Sequence, residues 1–322
     1  MLRVAFVGAL SASFAESVRA RLAMPCEILL TTEAEVVSLL PELDVLVTLV
    51  FTSAMGAAAK RLRLVQVPGA GLDRIDRAAL PPGASLANVY GHETGIAEYV
   101  VGAMLALSRS FGRLDAALRV GRWDSQWAPG TPPPPWPELA GRTLGILGYG
   151  HIGQALARRA RAFDMAVMAI RRDATPADPD ATVYGTGGLD DVLARADYLA
   201  ITLPLTAATR ELIGERELRR MKASAFLVNV ARAEIVDEEA LYRSLAERRI
   251  AGAALDVWYR YPAGPGPTFP ARHPFHELPN VLMTPHVSGW TDGMLEARAK
   301  LIAENIQCTA RGVPPANLVA RA

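Results

Sequence analysis

The feature that most constrains the fold of this chain is a glycine-rich turn between an apolar strand pattern and a helix pattern. The hexapeptide Gly148–Gly153 (GYGHIG) follows the apolar run Thr143–Leu147 and precedes a helix expected over Gln154–Phe163. Glycines at this spacing are a weak signal alone, but the flanking elements and a second strand at Val167–Ile170 make it specific. Glycine permits a tight turn and lets a pyrophosphate approach the backbone at the helix N-terminus. The pattern therefore predicts a dinucleotide-binding turn, with a ligand-free glycine turn as the alternative.

Short apolar segments alternate with helical segments on both sides of this turn. Strands that are apolar on both faces and separated by crossovers indicate parallel sheets covered by helices. We predict an α/β protein with two doubly wound parallel-sheet domains and ligands at the strand ends, in an interdomain cleft. The predicted strands are Leu2–Val7, Glu27–Leu30, Val45–Val50, Leu64–Val67 and Ser85–Val89, then Thr143–Leu147, Val167–Ile170, Tyr198–Leu203, Phe226–Val230, Gly252–Val257 and Val281–Met283. A loop over residues 259–280, a last helix over Thr291–Arg311 and an extended tail complete the prediction.

The composition is that of a packed globular protein. Of the 322 residues 51% are apolar and 21% are charged, and the formal net charge is +1. These values give no electrostatic reason to expect nucleic acid or an anionic membrane as a partner. No uncharged apolar run approaches the ~20 residues that a membrane-spanning helix needs. Residues Arg3–Ala15 resemble a short secretory signal, but a first strand, loop and helix account for them better, which predicts a cytoplasmic protein.

The sequence shows neither a disulfide framework nor a metal-ligand pattern. Cys26 and Cys308 are the only cysteines and are expected to be reduced thiols. His273 and His276 lie near Glu277 in the long loop, but no matching ligand pair occurs elsewhere. We therefore expect no bound metal.

The middle of the chain changes character after an apolar helix predicted over Gly91–Phe111. Residues 112–140 contain Trp123, Trp127 and Trp136 among several prolines. A stiff spacer within a folded arm accounts for this composition better than a polyproline docking motif. Because exposed tryptophans favour burial against a partner, we expect a subunit contact here.

The residues after the second strand of the glycine-turn unit bear on the choice of nucleotide. An acidic residue at this point accepts hydrogen bonds from the adenosine ribose. Here the strand ends in Arg171 and Arg172, which cannot accept such bonds but can hold a 2′-phosphate through forked, charge-assisted ones. The sequence thus favours NADP over NAD. In the alternative, the arginines face solvent and Asp173 binds the ribose.

In its motifs and their order, the chain resembles the D-isomer-specific 2-hydroxyacid dehydrogenases along nearly its whole length. Many motifs in the family's order are strong evidence for the family and weaker evidence for one substrate. They comprise Gly69–Asp76 (GAGLDRID), Ile96–Glu98 (IAE), Gly148–Gly153, Leu203–Thr206 (LPLT) with Thr209, Met221–Lys222, Asn229–Arg232 (NVAR), Val236–Glu238 (VDE), Ala254–Val257 (ALDV) and Thr284–His286 (TPH).

The resemblance implies a split domain arrangement. Residues 1–98 and 287–322 would form a flavodoxin-like substrate-binding domain, and residues 99–286 a Rossmann cofactor domain. It also implies a homodimer built through the cofactor domain and the arm 112–140.

The resemblance also assigns roles to single residues. Arg232 is expected to bind the substrate carboxylate and carbonyl oxygen, the backbone amides of Gly69, Ala70 and Gly71 to hold the carboxylate, and His286 to act as general acid. Hydride transfer to a ketone builds negative charge on oxygen, so a fixed cation and a proton donor are chemically reasonable there. Expected cofactor contacts are Gly148, Gly150, His151, Ile152, Gly153, Arg171, Arg172, Pro204, Thr209, Val230, Ala231, Asp256 on the nicotinamide side, His286 and Ser288.

One catalytic position departs from the family pattern. The glutamate expected five residues after Asp256, which would pair with His286, is replaced by Tyr261. A phenol can fix the imidazole tautomer, but losing a nearby opposite charge lowers a histidine pKa by roughly one to three units. We therefore count Tyr261 with Arg232 and His286 as a catalytic residue and expect reduction to fade earlier as pH rises. Two alternatives stay open: a carboxylate from Glu93 or Glu277 pairs with His286, or the substrate needs no strong acid.

Together these observations predict an oxidoreductase that transfers a hydride between NADP(H) and a small 2-oxo or D-2-hydroxy acid. One alternative is oxidation of a small donor such as formate or phosphite. Another is a catalytically decayed, NAD(P)-sensing binding protein. The sequence does not identify which acid is used.

Overall fold

The computed structural model describes residues 1–173 and 178–321, which fall into two compact units. The first unit comprises Met1–His92 and the chain from Trp290 onward, and the second comprises Glu93–Gly289. That these units are the substrate-binding and cofactor-binding domains, with boundaries after residues 98 and 286, stays a prediction.

Strands and helices alternate through most of the described chain. The strands are β1 Leu2–Val7, β2 Cys26–Thr31, β3 Val45–Val47, β4 Leu64–Gln66, β5 Ser85–Ala87, β6 Thr143–Leu147, β7 Ala166–Ile170, β8 Thr182–Tyr184, β9 Tyr198–Ile201, β10 Phe226–Asn229, β11 Gly252–Leu255, β12 Val281–Met283 and β13 Leu318–Arg321. The helices are α1 Gly8–Ser13, α2 Ala15–Arg19, α3 Val36–Leu39, α4 Ser53–Ala58, α5 Glu93–Ser108, α6 Phe111–Arg119, α7 His151–Ala162, α8 Leu189–Arg195, α9 Glu215–Arg220, α10 Glu238–Ala246 and α11 Asp292–Arg311.

The first unit is built on a six-stranded sheet in the order β2-β1-β3-β4-β5-β13. The first five strands are parallel, and β13 pairs antiparallel with β5 at the edge. The parallel part has the flavodoxin-like 2-1-3-4-5 order. The buried residues of β1, β3 and β4 face an apolar core on each side of the sheet, with α11 covering one side.

The second unit is built on a seven-stranded parallel sheet in the order β8-β7-β6-β9-β10-β11-β12. The chain turns from one half of the sheet to the other at β6, which pairs with both β7 and β9. In such a doubly wound sheet the crevice at this switch point, at the carboxyl ends of the strands, is where ligands bind. The turn Gly148–Gly153 follows β6 and therefore lies at this switch point.

The predicted fold class, with two parallel-sheet units, is confirmed, but several elements differ in detail. β8 and β13 were not predicted as strands. The apolar helix ends at Ser108 rather than Phe111, and α6 occupies the start of the segment predicted as a spacer. Ser110, with φ of +51°, separates the two helices. The helix after the glycine turn begins at His151 rather than Gln154.

Within residues 1–173 and 178–321, no helix is long and apolar enough to cross a membrane. The same residues contain no group of three or more His, Cys, Asp or Glu side chains that could hold a metal ion. Cys26 and Cys308 are free thiols.

Candidate active site

Two glycines of the turn after β6 are required by the packing of the chain itself. Gly148 has φ of +106°, and a Cβ on it would lie 2.6 Å from the Leu203 amide nitrogen. A Cβ on Gly153 would lie 2.5 Å from the carbonyl oxygen of Gly148. A Cβ on Gly150, in contrast, would meet nothing within 4 Å. The middle glycine therefore borders open space, where a ligand can approach the backbone.

The first turn of α7 offers amide donors next to that open space. The first backbone bond of the helix runs from Gln154 N to the Gly150 oxygen at 2.9 Å. The amides of Ile152 and Gly153 consequently have no acceptor within the helix. Together with the helix dipole, such amides favour an anion such as a pyrophosphate.

The end of β7 is tied to the glycine turn. The amides of Gly148 and Tyr149 donate to the Ile170 oxygen at 3.0 and 3.1 Å. The next residues, Arg171 and Arg172, are exposed. In the described part of the chain, neither guanidinium has a hydrogen bond or an ion pair with the protein. The exposed Asp173 likewise has no such bond with the described residues.

The loop after β9 folds back on itself beside the turn. Thr209 Oγ1 donates to the Pro204 oxygen at 2.7 Å and accepts from the Thr206 amide at 2.7 Å. Thr202, at the end of β9, donates to the Gly148 oxygen at 2.8 Å. The predicted cofactor contacts Pro204 and Thr209 therefore follow the carboxyl end of β9, beside the glycine turn that follows β6.

Asn229, at the end of β10, fixes the short loop that carries Arg232. Asn229 is buried; its Nδ2 donates to the Arg232 oxygen at 2.9 Å, and its Oδ1 accepts from the Ala231 amide at 3.1 Å. Arg232 Nη1 donates to the Ala231 oxygen at 2.8 Å, and the side chain is partly exposed. Asn229 thus fixes the loop 230–232, and the Arg232 side chain on that loop stays partly exposed.

Tyr261 and His286 form a close pair in the second unit. Tyr261 Oη lies 2.7 Å from His286 Nδ1 and accepts from the Trp258 amide at 3.4 Å. A phenol has one proton; when it is donated to Nδ1, the neutral imidazole carries its own proton on Nε2. Nε2–H is then the ring donor that a substrate oxygen could accept from.

The electrostatic surroundings of Tyr261 connect it to two further predicted site residues. Burial raises the pKa of the phenol, the positive charge of Arg232 acts in the opposite direction, and the negative charge of Asp256 raises it again. Tyr261 therefore remains protonated at neutral pH. The structure brings Arg232, Asp256, Tyr261 and His286 into one neighbourhood of the second unit. Glu277, considered as another partner for His286, has a carboxylate oxygen 3.8 Å from Nε2 of its neighbour His276.

Asp256 is fully buried and accepts hydrogen bonds from the loop that carries His286. Its Oδ1 accepts from Thr284 Oγ1 at 2.6 Å and from the Val287 amide at 2.8 Å, and its Oδ2 accepts from the Ser288 amide at 2.8 Å. Both carboxylate oxygens of Asp256 are therefore engaged by groups of the loop that carries His286. Contact of Asp256 or Ser288 with the nicotinamide stays a prediction.

The loop 68–71 of the first unit has three consecutive carbonyls held by the body of that unit. The donors lie far from the loop in sequence, so no local sequence pattern indicates them. They are Arg298 Nη1 to the Pro68 oxygen at 3.0 Å, the Val89 amide to the Gly69 oxygen at 3.2 Å, and Asn88 Nδ2 to the Ala70 oxygen at 3.0 Å.

This anchoring orients the amides of the same loop. In a trans peptide the N–H points opposite to the carbonyl of the preceding residue, so the amides of Gly69, Ala70 and Gly71 point away from their anchors. Throughout the described ranges none of these amides donates to a protein acceptor, and the three residues are partly or fully exposed. Successive amides of this kind form a concavity that favours an anion.

A seven-stranded parallel sheet with a glycine turn at its switch point, an arginine after β10 and a histidine after β12 define a nucleotide-dependent α/β oxidoreductase. Residues 101–288 match the family described as D-isomer specific 2-hydroxyacid dehydrogenase, NAD binding domain. The chain belongs to this family, which supports a nicotinamide cofactor and confirms the resemblance seen in the sequence.

Several relatives and solved structures agree with this assignment. A glyoxylate reductase of Thermofilum pendens is 35% identical, over 81% of this chain and 76% of its own length. A hydroxypyruvate reductase of Thermotoga maritima is 34% identical, over 80% of this chain and 81% of its own length. The structure of a 2-hydroxyacid dehydrogenase from Ketogulonicigenium vulgare Y25 superposes with a TM-score of 0.82 at 28% identity, covering 100% of this chain and 99% of that one.

Proposed function

We propose that the protein reduces a small 2-oxo acid to the D-2-hydroxy acid with NADPH, using His286 as the acid and Arg232 as the fixed cation. The observation that carries this proposal is the 2.7 Å contact between His286 and Tyr261, with the charge of Arg232 acting on the same phenol. A proton donor and a cation close to one another are what a developing alkoxide requires.

The chain has the features needed to hold a nicotinamide dinucleotide. The open space at Gly150 and the donor amides of Ile152 and Gly153 suit the pyrophosphate. Thr209 and Pro204, the loop 230–232 and the segment 284–288 follow the next strands of the sheet and would border the remainder of the dinucleotide. When bound, this group supplies the hydride that the substrate carbon accepts.

The protein side of the reaction is electrostatic and proton-transferring. Arg232 can bind a carboxylate and a carbonyl oxygen with its forked donors, and its charge stabilises negative charge on that oxygen. His286 delivers a proton from Nε2. When the imidazole is doubly protonated, Nδ1–H must point at Tyr261, and the phenol oxygen then accepts instead of donating. A phenol stabilises this cation less than a carboxylate does.

The carboxylate of the substrate is proposed to use the amides of Gly69, Ala70 and Gly71 as well as Arg232. The three anchored carbonyls described above support this assignment, because they fix the direction of the amides before a ligand arrives. A preorganised anion site avoids part of the ordering cost of binding.

NADPH is proposed over NADH because Arg171 and Arg172 follow β7. Two exposed guanidinium groups without protein partners in the described residues are available for a 2′-phosphate. The preference rests on residue type and position, and it is tested by measuring both cofactors.

A homodimer is proposed through the second unit and the arm 112–140. Trp123 and Trp127 are 61% and 81% exposed, and Leu118 and Val120 are exposed beside them. Large apolar side chains grouped on one segment favour burial against another surface. The molar mass in solution, by light scattering, checks this assignment.

The deciding experiment is a screen of 2-oxo acids, including glyoxylate and hydroxypyruvate, with NADPH and NADH side by side. Catalytic efficiencies identify the substrate class and the cofactor together. His286→Ala and Arg232→Ala should abolish turnover while leaving cofactor binding measurable. Reduction of NADP by formate or phosphite would instead establish the small-donor alternative. Tight NADP(H) binding without turnover of any of these compounds would favour a sensing protein.

A further inference from the structure

The backbone of His286 adopts a conformation that is uncommon for residues other than glycine. Its φ is +57°, in the left-handed region. For a residue with a Cβ this region costs roughly 1–2 kcal/mol relative to right-handed conformations. Such a residue persists when the surrounding structure holds it in place.

The Asp256 carboxylate is the nearest group that holds this backbone conformation, through its hydrogen bonds. The amides directly after His286, those of Val287 and Ser288, both donate to the Asp256 carboxylate. On the other side, the His286 amide donates to the Thr284 oxygen at 3.1 Å, and Thr284 Oγ1 donates to Asp256. Asp256 and Thr284 thus fix the chain before and after the histidine.

The chain of hydrogen bonds continues to Tyr99 on α5. Tyr99 Oη lies 2.6 Å from Thr284 Oγ1. Thr284 has a single hydroxyl proton, which it donates to Asp256, so Tyr99 is the donor of the remaining bond. Burial and the charge of Asp256 raise the pKa of Tyr99 to about 12, which keeps this donor protonated. The result is a directed series from Tyr99 through Thr284 to Asp256.

We infer that Tyr99 is a positioning residue: through Thr284 and Asp256 it holds the backbone of His286 in its left-handed conformation and thereby sets the place of the imidazole. This inference rests on the proposed function for its catalytic consequence, but not for its structural one. Tyr99 acts on the loop that carries the acid, without contact with the reacting atoms.

The test uses the full chain and two variants that break the series at different points. Tyr99→Phe removes the remote donor, and Thr284→Val removes the middle hydroxyl at nearly constant shape. Thr284→Ser keeps the hydroxyl and serves as the conservative rescue. Tyr259→Phe is the matched control, since this phenol is partly buried like that of Tyr99 and donates to the Val236 oxygen at 2.8 Å, outside the series.

The first readout is amide hydrogen exchange at Val287 and Ser288 in the protein without cofactor. We expect about 5-fold faster exchange in Tyr99→Phe, the size of one lost hydrogen bond, and a larger increase in Thr284→Val. Thr284→Ser and Tyr259→Phe should exchange like the wild type. Unchanged exchange in both Tyr99→Phe and Thr284→Val would overturn the inference, whether or not the protein turns over a 2-oxo acid.

The second readout separates positioning from general destabilisation. In the active enzyme, Tyr99→Phe and Thr284→Val should both lower kcat, and by a larger factor than they raise the Kd for NADPH. Faster exchange with an unchanged kcat would show that the series from Tyr99 through Thr284 to Asp256 has no part in the reaction, and it would overturn the inference. If the wild type reduces no 2-oxo acid, the proposed function fails, and the exchange rates alone still decide whether Tyr99 holds His286. If Tyr99→Phe does not fold, the comparison of Thr284→Val with Thr284→Ser decides it.

Discussion

The phenol oxygen of Tyr261 lies 2.7 Å from Nδ1 of His286, so a neutral hydroxyl occupies the position where the family resemblance leads one to expect a carboxylate. The two rings are tilted by 53° with centroids 5.7 Å apart, so they meet through these polar atoms rather than by stacking. Partial burial raises the pKa of the phenol above its ordinary alkaline value, so the hydroxyl is neutral at pH 7. The partner of the histidine therefore fixes its orientation without supplying a negative charge.

The first prediction concerns the pH dependence of reduction. Tyr261→Glu places a charge beside His286, which stabilises the imidazolium and should extend ketone reduction to higher pH by roughly one to three units. The measurement is kcat/KM for a 2-oxo acid against pH in both proteins. Tyr261→Gln, which is neutral, should not show the extension. Coincident profiles for wild type and Tyr261→Glu would mean that the phenol does not control this titration.

Most of the sheet strands were predictable because they carry a short run of apolar residues followed by a turn. The predicted β1, β6 and β12 have the observed bounds, and most of the others differ only at their ends. β8 was missed because its three residues begin with the exposed Thr182 and form no apolar run. β13 was missed because it is an antiparallel edge strand, so it lacks the strand–helix–strand pattern by which the parallel strands were predicted.

The site was predictable where the chemistry lies in a short motif and not where it depends on distant residues. The contact of Tyr261 with His286 follows from the family's motif spacing. The support of the loop 68–71 by Arg298 spans 230 positions, so no local pattern contains it. The left-handed φ of His286 likewise depends on Asp256, which reaches it only in the folded sheet.

The second prediction separates two glycines of the turn by what each one faces. Gly148→Ala forces a Cβ against Leu203 at positive φ and should cost about 1–3 kcal/mol of folding free energy from the backbone alone. Gly150→Ala meets open space and should leave Tm nearly unchanged while weakening NADPH binding. Thermal unfolding and cofactor titration measure the two effects. A Gly150→Ala protein that binds NADPH as tightly as the wild type would place the pyrophosphate elsewhere.

The third prediction concerns the proposed carboxylate site. Asn88→Ala leaves the Ala70 carbonyl without its donor, so the Gly71 amide loses its fixed direction. We expect KM for the 2-oxo acid to rise about 10-fold, with the Kd for NADPH unchanged. Asn280→Ala is the control, because that side chain donates to the carbonyls of Leu245 and Ala251 in the second unit. Equal effects of both substitutions on KM would argue against a carboxylate bound at this loop.

The fourth prediction concerns stability at acid pH. Hydrogen bonds from Arg219 and Arg249, and the charge of Arg243, lower the pKa of Glu215. A carboxyl whose pKa is lower in the folded state stabilises the fold above its unfolded pKa, and this contribution disappears as pH falls through the folded value. Glu215→Gln should therefore reduce Tm at pH 7 but not at a pH below both values. Glu16→Gln, which breaks a single exposed pair, should have less effect at pH 7.

The last prediction concerns the nucleotide. If Arg171 and Arg172 hold a 2′-phosphate, replacing either one by alanine removes charge-assisted bonds worth about 1.5–3 kcal/mol, or roughly a 10- to 100-fold rise in the Kd for NADPH. The Kd for NADH should stay nearly constant, because that cofactor has no phosphate at this place. Arg195→Ala is the matched control, as this arginine is also exposed and ends α8 without an ion pair in the described chain. If the Arg171 and Arg172 substitutions weaken the binding of NADPH and NADH equally, a phosphate contact is contradicted. The alternative, in which Asp173 binds the ribose, would then be favoured.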